Sequence, residues 1–284
     1  MAESNIERII SLILESESNT YNNNGNWIRT KTYWNEPIKP CNVSKLANTI
    51  TNKIKENFAI GKNSIRTATN VSVVKKGNDI WFYRQEEALE RLICLFNKSK
   101  SNNKWGNQAD IQEDNSGKEL VDLEECDSNN NYKSFIELKA WNNKKDTPLY
   151  AVIELLKNYY LCDKGKEFIE ELILLAPAEY YDYYDIYNTN FKDLITELNK
   201  LLPQNCNISV KVIDLTLEKW NKFVKDKIPQ NLQFQPANIK SDKYDYVASI
   251  DLEKCVKQNL FNEISEKLLK KSWLSIYDTS SSDA

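Results

Sequence analysis

Apolar side chains recur at i, i+3 and i+4 in several separate stretches, and each stretch predicts an amphipathic helix. Ile6, Ile9, Ile10, Ile13 and Leu14 place a short helix within residues 3–16. Leu46, Ile50 and Ile54 place another from Ser44 to Phe58. Leu89, Leu92, Ile93 and Phe96 form one stripe of a helix over Gln85–Asn97. Asp146-Thr147-Pro148 supplies an N-cap and a proline at the first helical position, opening a helix that runs to about Cys162. Further helices are expected over Phe191–Leu202 and Leu252–Leu269.

Other stretches alternate. Ser64–Lys76 and Asp79–Tyr83 read as strands around a Lys76-Gly77-Asn78 turn, and Gln108–Glu113 as a further strand. Glu171–Ala176 is almost unbroken in its apolar character and stops at Pro177, the pattern of a strand buried on both faces. Ile208–Leu217 alternates again, and Lys98–Lys104 reads as a loop. From residue 84 to 217 the order is helix, three antiparallel strands, helix, strand, helix, strand. That order predicts an α/β fold, a mixed central β-sheet flanked by helices, with N- and C-terminal additions. The expected core spans 81–217; 1–80 forms an extension of unassigned role, and 218–284 a mixed extension with a helix and a polar, disordered tail.

Two of those strands carry the chemistry. Lys118-Glu-Leu-Val-Asp122-Leu-Glu-Glu-Cys126 and Ser134-Phe-Ile-Glu137-Leu-Lys139-Ala-Trp141 flank a run of Asp, Ser and Asn. With the turn centred between Asn129 and Asn130, antiparallel pairing sets Val121 against Leu138 and Asp122 against Glu137. Side chains alternate along a strand, so Asp122, Glu137 and Lys139 share one face while Ile136 and Leu138 point to the other. Facing carboxylates repel. A divalent cation between them, with an ammonium alongside, removes the conflict. The plain alternative is a charged, solvated face on an ordinary hairpin.

Composition narrows what such a site can do. The chain of 284 residues has no histidine, which excludes Ser-His-Asp and Cys-His catalysis, Cys/His zinc fingers and any histidine-dependent nuclease. Carboxylate sites favour hard ions, Mg²⁺, Mn²⁺ or Ca²⁺. The net charge is −3, so any surface for nucleic acid must be local. Six cysteines, without a C-x-x-C pair, look like reduced thiols of a cytoplasmic protein. The N-terminus does not read as a signal peptide, and no run approaches the roughly 18 apolar residues of a membrane span.

The element order and the Val-Asp122-Leu and Ile-Glu137-Leu-Lys139 motifs resemble the PD-(D/E)XK nuclease superfamily, the restriction-endonuclease-like fold. The resemblance covers residues 84–217. It implies that Asp122 and Glu137 bind metal, that the Leu138 carbonyl is a further ligand, and that Lys139 sits beside the attacking water. Many members add a glutamate from the helix before the sheet; here that is Glu86, which shares the stripe of Leu89 and Ile93, with Glu87 as the fallback. Val121, not proline, precedes Asp122. The implied cofactor is Mg²⁺, with Mn²⁺ as substitute. The implied partner is nucleic acid, DNA in the first instance, with no membrane and with homodimers common among members. The same fold retained as a non-catalytic binding module is the alternative. Lys139, close to the ion, is expected to have a lowered pKa and to orient or deprotonate water.

Other features weigh less. The cluster Tyr180, Tyr181, Tyr183, Tyr184 and Tyr187 could stack on bases, but such tyrosines more often close the edge of a core. Lys98, Lys100 and Lys104, with Lys144 and Lys145, flank the hairpin and are candidates for phosphate contacts. Trp105 and Trp141 are expected to anchor the core. No glycine-rich phosphate loop occurs, so no nucleotide cofactor site is expected.

Overall fold

The computed structural model describes residues 34–35, 38–58, 85–110, 120–144, 146–162, 166–227 and 262–277. The expected helix within 3–16, the strands between 64 and 83 and the polar tail lie outside them.

Within the described residues the chain is α/β, a six-stranded mixed sheet between two layers of helices. The helices are α1 (Val43–Phe58), α2 (Gln85–Lys100), α3 (Pro148–Leu161), α4 (Ala178–Tyr183), α5 (Phe191–Leu201), α6 (Leu217–Lys227) and α7 (Asn262–Leu268). The strands are β1 (Lys104–Asp110), β2 (Leu120–Cys126), β3 (Tyr132–Leu138), β4 (Glu171–Pro177), β5 (Asn207–Ile213) and β6 (Leu274–Ser275), side by side in chain order. β1, β2 and β3 are antiparallel to one another, β3, β4 and β5 parallel, and β6 antiparallel to β5. Parallel neighbours need a crossover, and α3 supplies it between β3 and β4.

Alternation along the strands feeds two separate cores. Phe135, Leu172, Leu174, Ile208 and Val210 pack under α1, α3, α4 and α5. Ile136, Leu138, Ile173, Leu175 and Ile213 pack under α2, α6 and α7. β4 lies between both layers, and its residues Leu172 to Ala176 are all fully buried, which explains its unbroken apolar run. α1 belongs to this body: Leu46, Ala47, Ile50 and Ile54 sit in the same buried cluster as α3 and α5.

The helix over Gln85–Lys100 and the strand from Glu171 follow the expected bounds. Two strands do not. β1 starts at Lys104, earlier than the expected Gln108, because Trp105 is buried and pairs opposite Glu125. β5 stops at Ile213, where the Leu215 N–H turns back to the Ile213 carbonyl at 2.8 Å. The residues after it form α6, absent from the expected elements, which buries Trp220 and Phe223 three residues apart on one face.

From Leu123 to Glu125 the hairpin keeps the expected register through a different turn, but the expected pairs Val121–Leu138 and Asp122–Glu137 are not among its paired residues. Leu123 pairs with Ile136, Glu124 with Phe135 and Glu125 with Ser134. The register then shifts at Cys126, which pairs with Tyr132. The turn is consequently a short loop closed by Asp127 and Asn131, whose Asp127 N–H donates to the Asn131 carbonyl at 2.9 Å. Asp127 Oδ1 also accepts from the Asn129 and Asn131 N–H groups at 2.8 and 2.9 Å. Asn130 takes a left-handed conformation (φ 66°), which asparagine tolerates better than most residues. The irregularity beside Cys126 absorbs the odd residue, so the pairing beyond it is unchanged.

Candidate active site

The site lies where the β2–β3 pairing runs out. The paired residues of the two strands end at Leu123 and Ile136, and beyond them Asp122 Oδ2 accepts from the Leu138 N–H at 2.9 Å. The Lys139 N–H donates to the Leu175 carbonyl at 2.9 Å, carrying the β3–β4 pairing one residue past the strand. Lys139 Nζ lies 2.5 Å from Glu137 Oε1 and 3.6 Å from Glu154 Oε2 of α3. Glu137 and Lys139 are 5% and 3% exposed, whereas the Glu154 side chain is 28% exposed and Asp122 is partly exposed. The pair Glu137 and Lys139 is thus buried, and the partial exposure lies on Asp122 and Glu154.

Glu86 reaches the same place from the opposite layer. Its Oε2 accepts from the Ala140 N–H at 3.0 Å and from Asn143 Nδ2 at 3.1 Å. The segment after β3 is tied down at further points. Tyr180 donates to the Asp146 carbonyl at 2.7 Å and Tyr184 to the Asn143 carbonyl at 3.3 Å. Trp141 Nε1 donates to the Leu215 carbonyl at 2.5 Å, and its ring packs on Trp220 with centroids 5.3 Å apart. The tyrosine cluster thus acts mainly as core: Tyr180, Tyr181 and Tyr184 are buried, and two of them hold the segment that follows Lys139.

Electrostatics follow from this crowding. Burial pushes the Asp122 carboxyl up to about 6, with Glu86 and Glu154 adding to the shift and Lys139 and the Leu138 N–H opposing it. Burial, Asp122 and Glu154 push the Glu137 carboxyl up, while the Lys139 ammonium bonded to it pulls the other way. Burial by itself would lower Lys139, but Glu137, Glu154, Asp122 and Glu86 together hold the ammonium well above its ordinary value. Lys139 is thus a charged hydrogen-bond donor at neutral pH.

The expected phosphate contacts need a correction. Lys98 and Lys100 end α2, about 18 and about 21 Å along the helix from Glu86 at 1.5 Å per residue. Lys104 pairs with Asn130 at the hairpin turn, the far end of β2 and β3. Only Lys144 of the described candidates is on the Glu137–Lys139 side, exposed and near the Tyr183 ring. Lys145 lies outside the described residues.

Glu154 escaped the sequence reading because its helix looks like plain core. The signal was present: Glu154 is the single acid in the fourteen residues of α3, PLYAVIELLKNYYL. Asn143 carried no comparable signal, since its role depends on where Glu86 arrives.

Four carboxylates surround one ammonium, and burial raises two of them, so donor type and charge suit a divalent ion. Among the described residues, however, no three Asp, Glu or Cys side chains are gathered as a preformed ligand set.

Fold and site define an α/β protein with a mixed sheet and an acidic, lysine-bearing cluster at the end of a hairpin. Compared with protein-family models, curated proteins and solved structures, the chain matches none. Among the described residues no helix is long and apolar enough to cross a membrane.

Proposed function

We propose that this chain is a metal-dependent nuclease of the PD-(D/E)XK type, hydrolysing phosphodiester bonds with DNA as the expected substrate. The observation that carries the reading is the meeting of Asp122, Glu137 and Lys139 on one side of the β2–β3 end, with Glu86 brought in from α2. The run α2-β1-β2-β3-α3-β4 supports it, because the hairpin and its crossover helix deliver these residues together.

Mg²⁺, or Mn²⁺ in its place, would be held by Asp122 and Glu137, with Glu86 and the Leu138 carbonyl as further donors. The chemistry supplied there would be polarisation of a phosphate and a lowered pKa for a water. The chain's own residues do the rest. Lys139, kept protonated by its neighbours, donates hydrogen bonds to orient water and offset charge developing on phosphate oxygens. Tyr180, Tyr184 and Glu86 hold the segment after Lys139, so the ammonium's anchor is rigid.

The test is incubation of the full chain with plasmid, linear and single-stranded DNA and with RNA, in Mg²⁺, Mn²⁺ and EDTA. Cleavage that needs the ion and disappears in Lys139→Ala, with folding intact, supports the reading. No cleavage of any substrate with either ion ends it. One observation favours a second reading, a non-catalytic module that binds nucleic acid or a protein: Glu137 Oε1 is already engaged by Lys139 at 2.5 Å. Binding without cutting, unaffected by either ion, would select it.

A further inference from the structure

We infer that Glu154 is a positioning residue that retains the Lys139 ammonium in the site once Glu137 is committed to a cation. The inference rests on the nuclease reading above.

Lys139 has two carboxylate seats from different elements, Glu137 of β3 at 2.5 Å and Glu154 of α3 at 3.6 Å. In the proposed site Glu137 has competing duties, since it is both the nearer partner of the ammonium and a metal donor. Lys139 is 3% exposed, and a buried ammonium stripped of its partner is strongly disfavoured. A second seat removes that cost. Four carboxylates act on Lys139, and three of them (Glu137, Asp122 and Glu86) are the proposed metal donors. Glu154 is the one the metal does not need.

The helix makes it a dependable seat. Thr147 caps α3 by accepting from the Tyr150 N–H at 3.3 Å. Leu149, Val152, Ile153 and Leu156 bury the helix against the sheet, so the backbone under Glu154 is fixed. Its side chain is 28% exposed and stands 3.6 Å from the ammonium.

The experiment compares wild type with Glu154→Gln and Glu154→Asp in the full chain, by three measurements. Mg²⁺ binding is followed by thermal shift. The Lys139 ammonium is followed by side-chain ¹⁵N NMR with and without Mg²⁺, assigned by its loss in Lys139→Arg. Single-turnover cleavage is measured at saturating Mg²⁺. Glu154→Gln is expected to keep most of its Mg²⁺ affinity, lose or broaden the Lys139 signal when Mg²⁺ is added, and cleave about 10²-fold more slowly. Glu154→Asp, which keeps the charge, should recover part of both. A Glu154→Gln protein with an unaltered Lys139 signal and wild-type cleavage overturns the inference alone. Mg²⁺ affinity and cleavage falling together make Glu154 a ligand and also overturn it. Wild-type protein that neither responds to Mg²⁺ nor cleaves defeats the nuclease reading and this inference with it.

Discussion

Asp122 Oδ2 accepts a hydrogen bond from the Leu138 N–H at 2.9 Å, so an acid of β2 is tied to the main chain between Glu137 and Lys139. This bond sets the distance between the two strands' charged groups where ladder pairing has ended. It also places a carboxylate where desolvation and like charges both oppose its ionisation.

Asp122 should therefore make stability pH-dependent in a defined direction. Its folded pKa is about 6 against an ordinary 3.8. Between about pH 4 and 6 the folded protein holds a proton that the unfolded chain has released, so stability falls as pH rises through that window. Asp122→Asn should be more stable than wild type at about pH 8, by roughly 1–3 kcal/mol, and equal to it near pH 4. Urea unfolding of both proteins across this range checks it; a constant gap would refute the assignment.

Lys139→Met should cost about 3–5 kcal/mol at neutral pH, because it leaves buried carboxylates without their counter-charge. Added Mg²⁺ should restore more stability to this variant than it gives wild type, since the ion would take over part of that role. Unfolding curves with Mg²⁺ and with EDTA measure both effects. A variant as stable as wild type would show that Glu137 is already neutral there.

Glu86 and Glu87 can be separated by hydrogen exchange. Glu86→Ala removes the acceptor of the Ala140 N–H and of Asn143, which is expected to expose that amide and cost about 1–3 kcal/mol. Glu87→Ala should leave the Ala140 amide protected. The reverse result would exchange their roles.

A second charged cluster ties the C-terminal segment to the sheet. Lys270 Nζ lies 2.8 Å from Glu125 Oε2, 3.0 Å from Ser134 Oγ and 3.2 Å from Glu171 Oε2. Burial would lift Glu125, but Lys270, Asn103 and Ser134 bring it below its ordinary value. That stabilisation is present above the ordinary carboxylate range and is lost as pH falls through the folded pKa. Lys270→Ala should cost about 1–3 kcal/mol at pH 7 and much less in acid, measured by denaturant unfolding at both.

The sequence by itself determined the α/β class, most element positions and the neighbourhood of Asp122, Glu137 and Lys139 at one end of the hairpin. These depend on helical and strand periods, which neighbouring residues express through local geometry. The register also survived, because alternation in both strands penalises a slip by one residue, even though the turn is shaped by Asp127 and Asn130 in a way composition did not reveal. Only the tertiary structure brought Glu154 to Lys139, tied Glu86 to Ala140 and Asn143, and put Lys98 and Lys104 at the wrong end for the site. It also set the upward shift of Lys139, whose sign depends on carboxylates from β2, β3, α2 and α3 at once. Such meetings join residues tens of positions apart, and no local period encodes which of them will touch.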